Sequence, residues 1–171
     1  MLAAARAVLL ALAIIAAPRQ TALVRTTVDS LPACVQRALS PQLRGVAVTV
    51  DPALGATYDG LATPDGLIII VATPVDSLHV ELLHELGHEV DYQIGAVTPE
   101  LERAVHHDFA ALSARERRRL SYFSSASEAF AEFFAERYDP AYSKEGVPDL
   151  DRLEQTRRVV NEELGRLERC R

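Results

Sequence analysis

Apolar and polar positions alternate along the chain with changing period, and these changes divide it into elements. Ala7 to Ala17 is an unbroken apolar run behind a lone Arg6, with small residues at its end. That is the pattern of a signal peptide. The run is too short to cross a bilayer, which takes about 20 residues. Pro18 directly after Ala17 fits poorly behind a scissile bond, so a cut near Ala22 is the alternative and residues 1–22 are assigned to the leader. Residues 23–171 are then expected to form a single exported domain with no stable membrane span after processing. A polar spacer runs to about Asp29, and Leu31 to Leu39 reads as a short helix broken by Ser40-Pro41. Val46, Val48 and Val50 alternate with small or polar residues up to Asp51-Pro52, a half-buried strand ending in a turn. Gly55 to Gly66 is loop or hairpin material, and the continuous apolar run Leu67 to Val71 is a buried strand.

The period then lengthens. Thr73, Pro74 and Asp76 have the form of an N-cap, a first-turn proline and a third-position acid, and Gly95 stands where a helix commonly stops. Between them Val75, Leu82, Leu86, Val90 and Ile94 form one stripe. Glu81, His84, His88 and Asp91 gather on roughly the opposite side. Further helices are expected over Pro99 to Leu112, in a short basic stretch ending near Leu120, over Ser124 to Tyr138, and from about Asp149 to Glu168. In the Ser124 helix Phe130, Phe133, Phe134 and Tyr138 share one side, and Glu128, Glu132 and Glu136 the other. The fold class is therefore α+β, mainly helical with a small β-sheet.

Composition narrows the classes of function. With 49% hydrophobic residues the chain can bury one ordinary core, and a net charge of -6 argues against a nucleic-acid partner. Arg115, Arg117, Arg118 and Arg119, beside Glu116, read as a solvated helix face. In an exported chain the two cysteines, Cys34 and Cys170, are expected to pair.

The chemistry lies in His84-Glu85-Leu86-Gly87-His88. Histidines four residues apart on a helix lie on one face and can bind one tetrahedral Zn²⁺, while the glutamate after the first can take a proton from metal-activated water. A third protein ligand must come from elsewhere, because Asp91 and Ile94 stand where an extended motif would carry glycine and histidine. The stripe of Glu128, Glu132 and Glu136 is the best source. His106 and His107 are adjacent and diverge on a helix, so they read as surface residues, and His79 reads as packing.

His84-Glu85-Leu86-Gly87-His88 followed by Val90-Asp91, with Glu-x-Phe-Ala-Glu-x-Phe some forty residues later, resembles the gluzincin peptidases of the anthrax lethal factor and Pro-Pro endopeptidase type. The resemblance covers about Leu67 to Tyr138. It implies a zincin-like domain built round an active-site helix, with the first Glu of the second motif as third zinc ligand and an upstream tyrosine stabilising the transition state. The second motif can start at Glu128 or at Glu132. Glu128 is favoured, because that register puts Tyr122, the candidate tyrosine six positions upstream, closer to its expected distance and the site further from the helix end at Asp139-Pro140. Glu132 would then accept a hydrogen bond from a ligating imidazole. The strand Leu67 to Val71 resembles the edge strand along which such enzymes lay a peptide. The implied activity is secreted, zinc-dependent endopeptidase hydrolysis of a protein or peptide substrate, with Glu85 as general base. A catalytically silent zinc-binding or interaction module competes with it, although such a module has no use for Glu85. A zinc amidase acting on a non-peptide amide is a third reading.

Overall fold

The computed structural model of the protein describes residues 13–15, 18–43, 47–50, 60–64, 67–70, 75–139, 142 and 150–170. The expected turn at Asp51-Pro52, the cap at Thr73 and Pro74, most of the Gly55 to Gly66 segment and the start of the leader lie outside them. The described chain is mostly helical. Its order is β1 (Ala13–Ile15), α1 (Pro18–Ser30), α2 (Ala33–Leu43), β2 (Ala47–Val50), β3 (Gly60–Ala62), β4 (Leu67–Ile70), α3 (Val75–Ile94), α4 (Pro99–Ala111), α5 (Ala114–Arg119), α6 (Ala126–Tyr138) and α7 (Glu154–Glu168), with 3₁₀ turns at Ser121–Ser124 and Leu150–Arg152.

At the centre lies α3. Leu78, Leu82, Leu86 and Val90 repeat every four residues and are buried together with Leu83. A four-residue repeat drifts about 40° per step round a 3.6-residue helix. By Ile94 the stripe has left the core, and that side chain, expected inside, is 45% exposed. Gly95 then ends the helix at φ +62, a left-handed conformation that costs glycine nothing.

The helix that crosses α3 is α6, and the crossing is close. A Cβ on Gly87 would lie 2.7 Å from the Ala131 Cα, so only glycine at position 87 permits this separation. Phe130 and Phe134 fill the space beside the crossing and are fully buried. Behind them α7 packs on α4, where the buried Asp108 accepts bonds from the Thr156 N–H and hydroxyl, both at 2.9 Å. Leu153, at the N-cap of α7, makes no side-chain cap bond, so Asp108 performs that service from another helix. Cys34 on α2 is joined to Cys170 just beyond α7. Closing a loop across a sequence separation of 136 residues stabilises the fold by about 5 kcal/mol in the chain-entropy model.

Two elements depart from expectation at the N-terminal end. The polar spacer to Asp29 is helical, as α1, because Val24 and Val28, one turn apart, are buried and α1 packs on α3. Two apolar residues in a polar stretch give little periodicity, so tertiary burial decides. The α2 helix continues through Ser40-Pro41 to Leu43. The assigned leader contributes β1 at one edge of the sheet. A cut after Ala17 would leave α1 whole, whereas one at Ala22 would sever it.

Among the described residues four strands stand in the order β1-β2-β4-β3, with β1, β2 and β4 parallel and β3 antiparallel to β4. This corrects the expected edge. The Leu67 strand, β4, is paired on both sides, Ile69 opposite Thr49 and Leu61, and the edge facing α3 is β3. The apolar run of β4 is the signature of a strand buried between neighbours. Among the described residues no helix is long and apolar enough to cross a membrane.

Candidate metal centre

The Gly87–Ala131 crossing brings together two carboxylates from α6 and two imidazoles from α3. Glu128 Oε2 lies 3.2 Å from His84 Nε2 and 3.4 Å from His88 Nε2. A tetrahedron whose ligands stand about 2.0–2.1 Å from its centre has edges of about 3.3–3.4 Å. The two Glu128 edges thus have tetrahedral spacing, the donor atoms of His84, His88 and Glu128 all lie within 4.8 Å of one another, and the group could hold a metal ion. Glu132 sits one turn further along α6, with its Oε2 3.1 Å from His84 Nδ1. A carboxylate only accepts at neutral pH, so Nδ1 carries a proton, and a cation at Nε2 would replace the second proton that His84 shares with Glu128. Tyr142 donates its hydroxyl to the other oxygen of Glu132, which holds that carboxylate in place. Glu136, the third acid of the stripe, turns away to Arg157 at 2.8 Å.

Glu85 is buried on the flank of the histidine pair and is bonded by the Ala62 backbone on β3. A Cβ on Gly60 would overlap its carboxylate, so the edge strand passes close because that residue is glycine. Burial raises the Glu85 pKa above the ordinary carboxylate range, against the pull of the two histidines. The Tyr122 hydroxyl lies 3.5 Å from His84 Nε2. Its pKa is raised by burial and by Glu128, so the phenol keeps its proton and remains a donor. Burial alone would lower the His84 pKa, but the Glu128 and Glu132 carboxylates raise it to about 9. For Glu128 burial acts upward, yet hydrogen bonds with His84, His88 and Tyr122 hold its pKa well below the usual range.

His79 does not join the group. Its Nδ1 lies 2.7 Å from the Thr27 hydroxyl and its Nε2 3.7 Å from Asp139, tying α1 to α3 and to the end of α6. His106 and His107 are exposed on α4. Sequence reasoning missed Ser127, whose hydroxyl lies 3.1 Å from His88 Nδ1, and Tyr142. The position of Ser127, next to Glu128, was the available signal for the first. Two of the exposed large hydrophobic side chains rim the site: Tyr92, stacked on His88, and Tyr122, beside His84. Beside Ser127 opens a groove of about 500 Å³ with Val97, Val105 and Phe109 among its lining residues.

Comparison with protein families, with characterised proteins and with solved structures yields no match, so the site is read from its own geometry.

Proposed function

We propose that the protein is a secreted zinc-dependent endopeptidase with a zincin-like fold of the gluzincin type, acting on a protein or peptide substrate. The observation that carries the reading is the convergence of His84 Nε2, His88 Nε2 and Glu128 Oε2, with the buried Glu85 beside them. His84, His88 and Glu128 would hold the ion. Zinc bound there supplies Lewis acidity, which polarises a carbonyl and acidifies water. Glu85 accepts the proton of the attacking water and delivers it to the leaving amine, a task suited to a carboxyl whose pKa is raised toward neutrality. The Tyr122 hydroxyl donates to the oxygen that becomes negative in the transition state.

Substrate binding follows from the rim. Among the described residues β3 has no partner strand along its outer side, so an extended peptide can add to it, with Tyr92 and Tyr122 offering apolar contact beside the histidines. Export is supported by the leader pattern and by the Cys34–Cys170 disulfide, which needs an oxidising compartment to persist. Incubating the purified protein with a fluorogenic peptide library tests the reading. The expected result is cleavage that a chelator abolishes and zinc restores. Cleavage indifferent to the chelator would refute the zinc mechanism, and zinc uptake without cleavage would leave a silent zinc-binding module.

A further inference from the structure

We propose that Ser127 and Asp91 form a relay that fixes His88 in its metal-binding tautomer, which makes them positioning residues for the site. The inference rests on the metal-site reading above and concerns how the protein prepares one of its ligands. A neutral imidazole has one N–H and one lone pair, and it can serve a cation at Nε2 only if the proton is at Nδ1. For His84 the buried carboxylate of Glu132 enforces this directly. At His88 the neighbour of Nδ1 is a hydroxyl, Ser127 Oγ at 3.1 Å, which can donate or accept and by itself selects neither tautomer.

Asp91 makes the choice. Its Oδ2 lies 3.4 Å from Ser127 Oγ, and a carboxylate can only accept, so the hydroxyl proton is directed to Asp91. The Ser127 lone pair is left to face His88, whose Nδ1 must then be the donor. Asp91 is itself held, because its Oδ1 accepts the Val97 N–H at 2.7 Å in the turn that follows Gly95. The turn ending α3 thus sets the tautomer of a histidine one helical turn back on the same helix, through a serine on α6. Ser127 also precedes Glu128 directly. The first turn of α6 therefore supplies one ligand and orients another, and both functions depend on the same helix crossing.

The test is zinc affinity of the metal-free protein, measured by competition with a chromophoric chelator, for wild type, Ser127→Ala, Ser127→Thr and Asp91→Asn. Threonine keeps the hydroxyl, whereas asparagine keeps an acceptor for Val97 but can donate to Ser127 and reverse the relay. Wild type and Ser127→Thr should bind within a few-fold of each other, and Ser127→Ala and Asp91→Asn should bind about 10- to 100-fold more weakly, the range for lost outer partners of a ligand. In nitrogen-15 spectra of the zinc-loaded protein, the His88 Nδ1–H should be protected in wild type and exchange freely in Ser127→Ala. A purely structural role for Ser127 would lower the melting temperature of the metal-free protein without changing that signal. Equal zinc affinity and an unchanged Nδ1–H signal in Ser127→Ala would overturn the relay while leaving the metal site standing. A wild-type protein that takes up no zinc would overturn the site and the relay together.

Discussion

Replacing Gly87 with alanine puts a methyl group 2.7 Å from the Ala131 Cα, 3.1 Å from the Phe134 Cβ and 3.2 Å from the Ala131 carbonyl oxygen. The first and third of these neighbours are helix backbone, so relief must come from moving α3 and α6 apart. Ordinary contact begins near 3.4 Å, which sets the displacement at about 0.7 Å. Overpacking of this kind costs about 1–3 kcal/mol. Alanine is favoured over glycine inside a helix by about 1 kcal/mol, which offsets part of the cost. The net destabilisation is about 1 kcal/mol, a loss of about 2–4 °C in melting temperature for a chain of this size. The effect on the site should be larger, because His84 and His88 ride on one helix and Glu128 on the other. Metal–ligand distances tolerate about 0.2 Å of error. Zinc affinity of Gly87→Ala, measured by chelator competition, should fall at least tenfold. If the variant binds zinc as tightly as wild type and melts no lower, the helix crossing is not what sets the ligand geometry.

Three other perturbations act on separate parts of the molecule. Glu128→Ala should remove most bound zinc, whereas Glu132→Ala, which loses the partner of His84 Nδ1, should weaken binding by about 10- to 100-fold; zinc analysis showing the reverse ranking would move the third ligand one turn along α6. Asp108→Ala leaves the buried Thr156 N–H and hydroxyl without their acceptor and should destabilise the fold by about 2–4 kcal/mol in a denaturant titration; a change below about 1 kcal/mol would show that α7 needs no cap from α4. In the metal-free protein the His84 pKa is raised from 6.5 to about 9, so the stabilisation it brings is complete below about pH 6.5 and lost as pH rises through 9. Melting temperature of the metal-free protein should fall over that window while the increment on adding zinc grows, since binding displaces the proton; a flat metal-free profile from 6.5 to 9 would contradict the His84 assignment.

Much of the framework was legible where one periodicity was long and cleanly ended. Leu82, Leu86 and Val90 marked the buried face of α3, Gly95 marked its end, and the same period put His84 and His88 on one side. The acidic stripe of α6 was also legible, but not its register, because Glu128 and Glu132 satisfy the same local pattern. The meeting of Gly87 with Ala131 chooses between them spatially, bringing Glu128 to the histidine Nε2 atoms and Glu132 to Nδ1. What the pattern concealed depends on contacts remote in sequence. Val24 and Val28 become core only because α3 passes over α1, and β3 is too short to show alternation. Ser127 belongs to a serine-rich stretch with Ser121, Ser124 and Ser125, and only the crossing singles it out for His88.

The proposed mechanism gives adjacent positions two jobs, His84 to hold the ion and Glu85 to move the proton. Glu85→Gln keeps the size and the acceptor oxygen of the side chain beside Gly60 and Ala62 but removes its basicity. The decisive measurement is zinc content and peptide hydrolysis on the same preparation of this variant. Glu85→Gln should hold one zinc per chain, as the wild type should, with turnover reduced by at least two orders of magnitude, the lower end of what a general base contributes. Near-normal hydrolysis by Glu85→Gln, or loss of zinc from it, would contradict this division of roles.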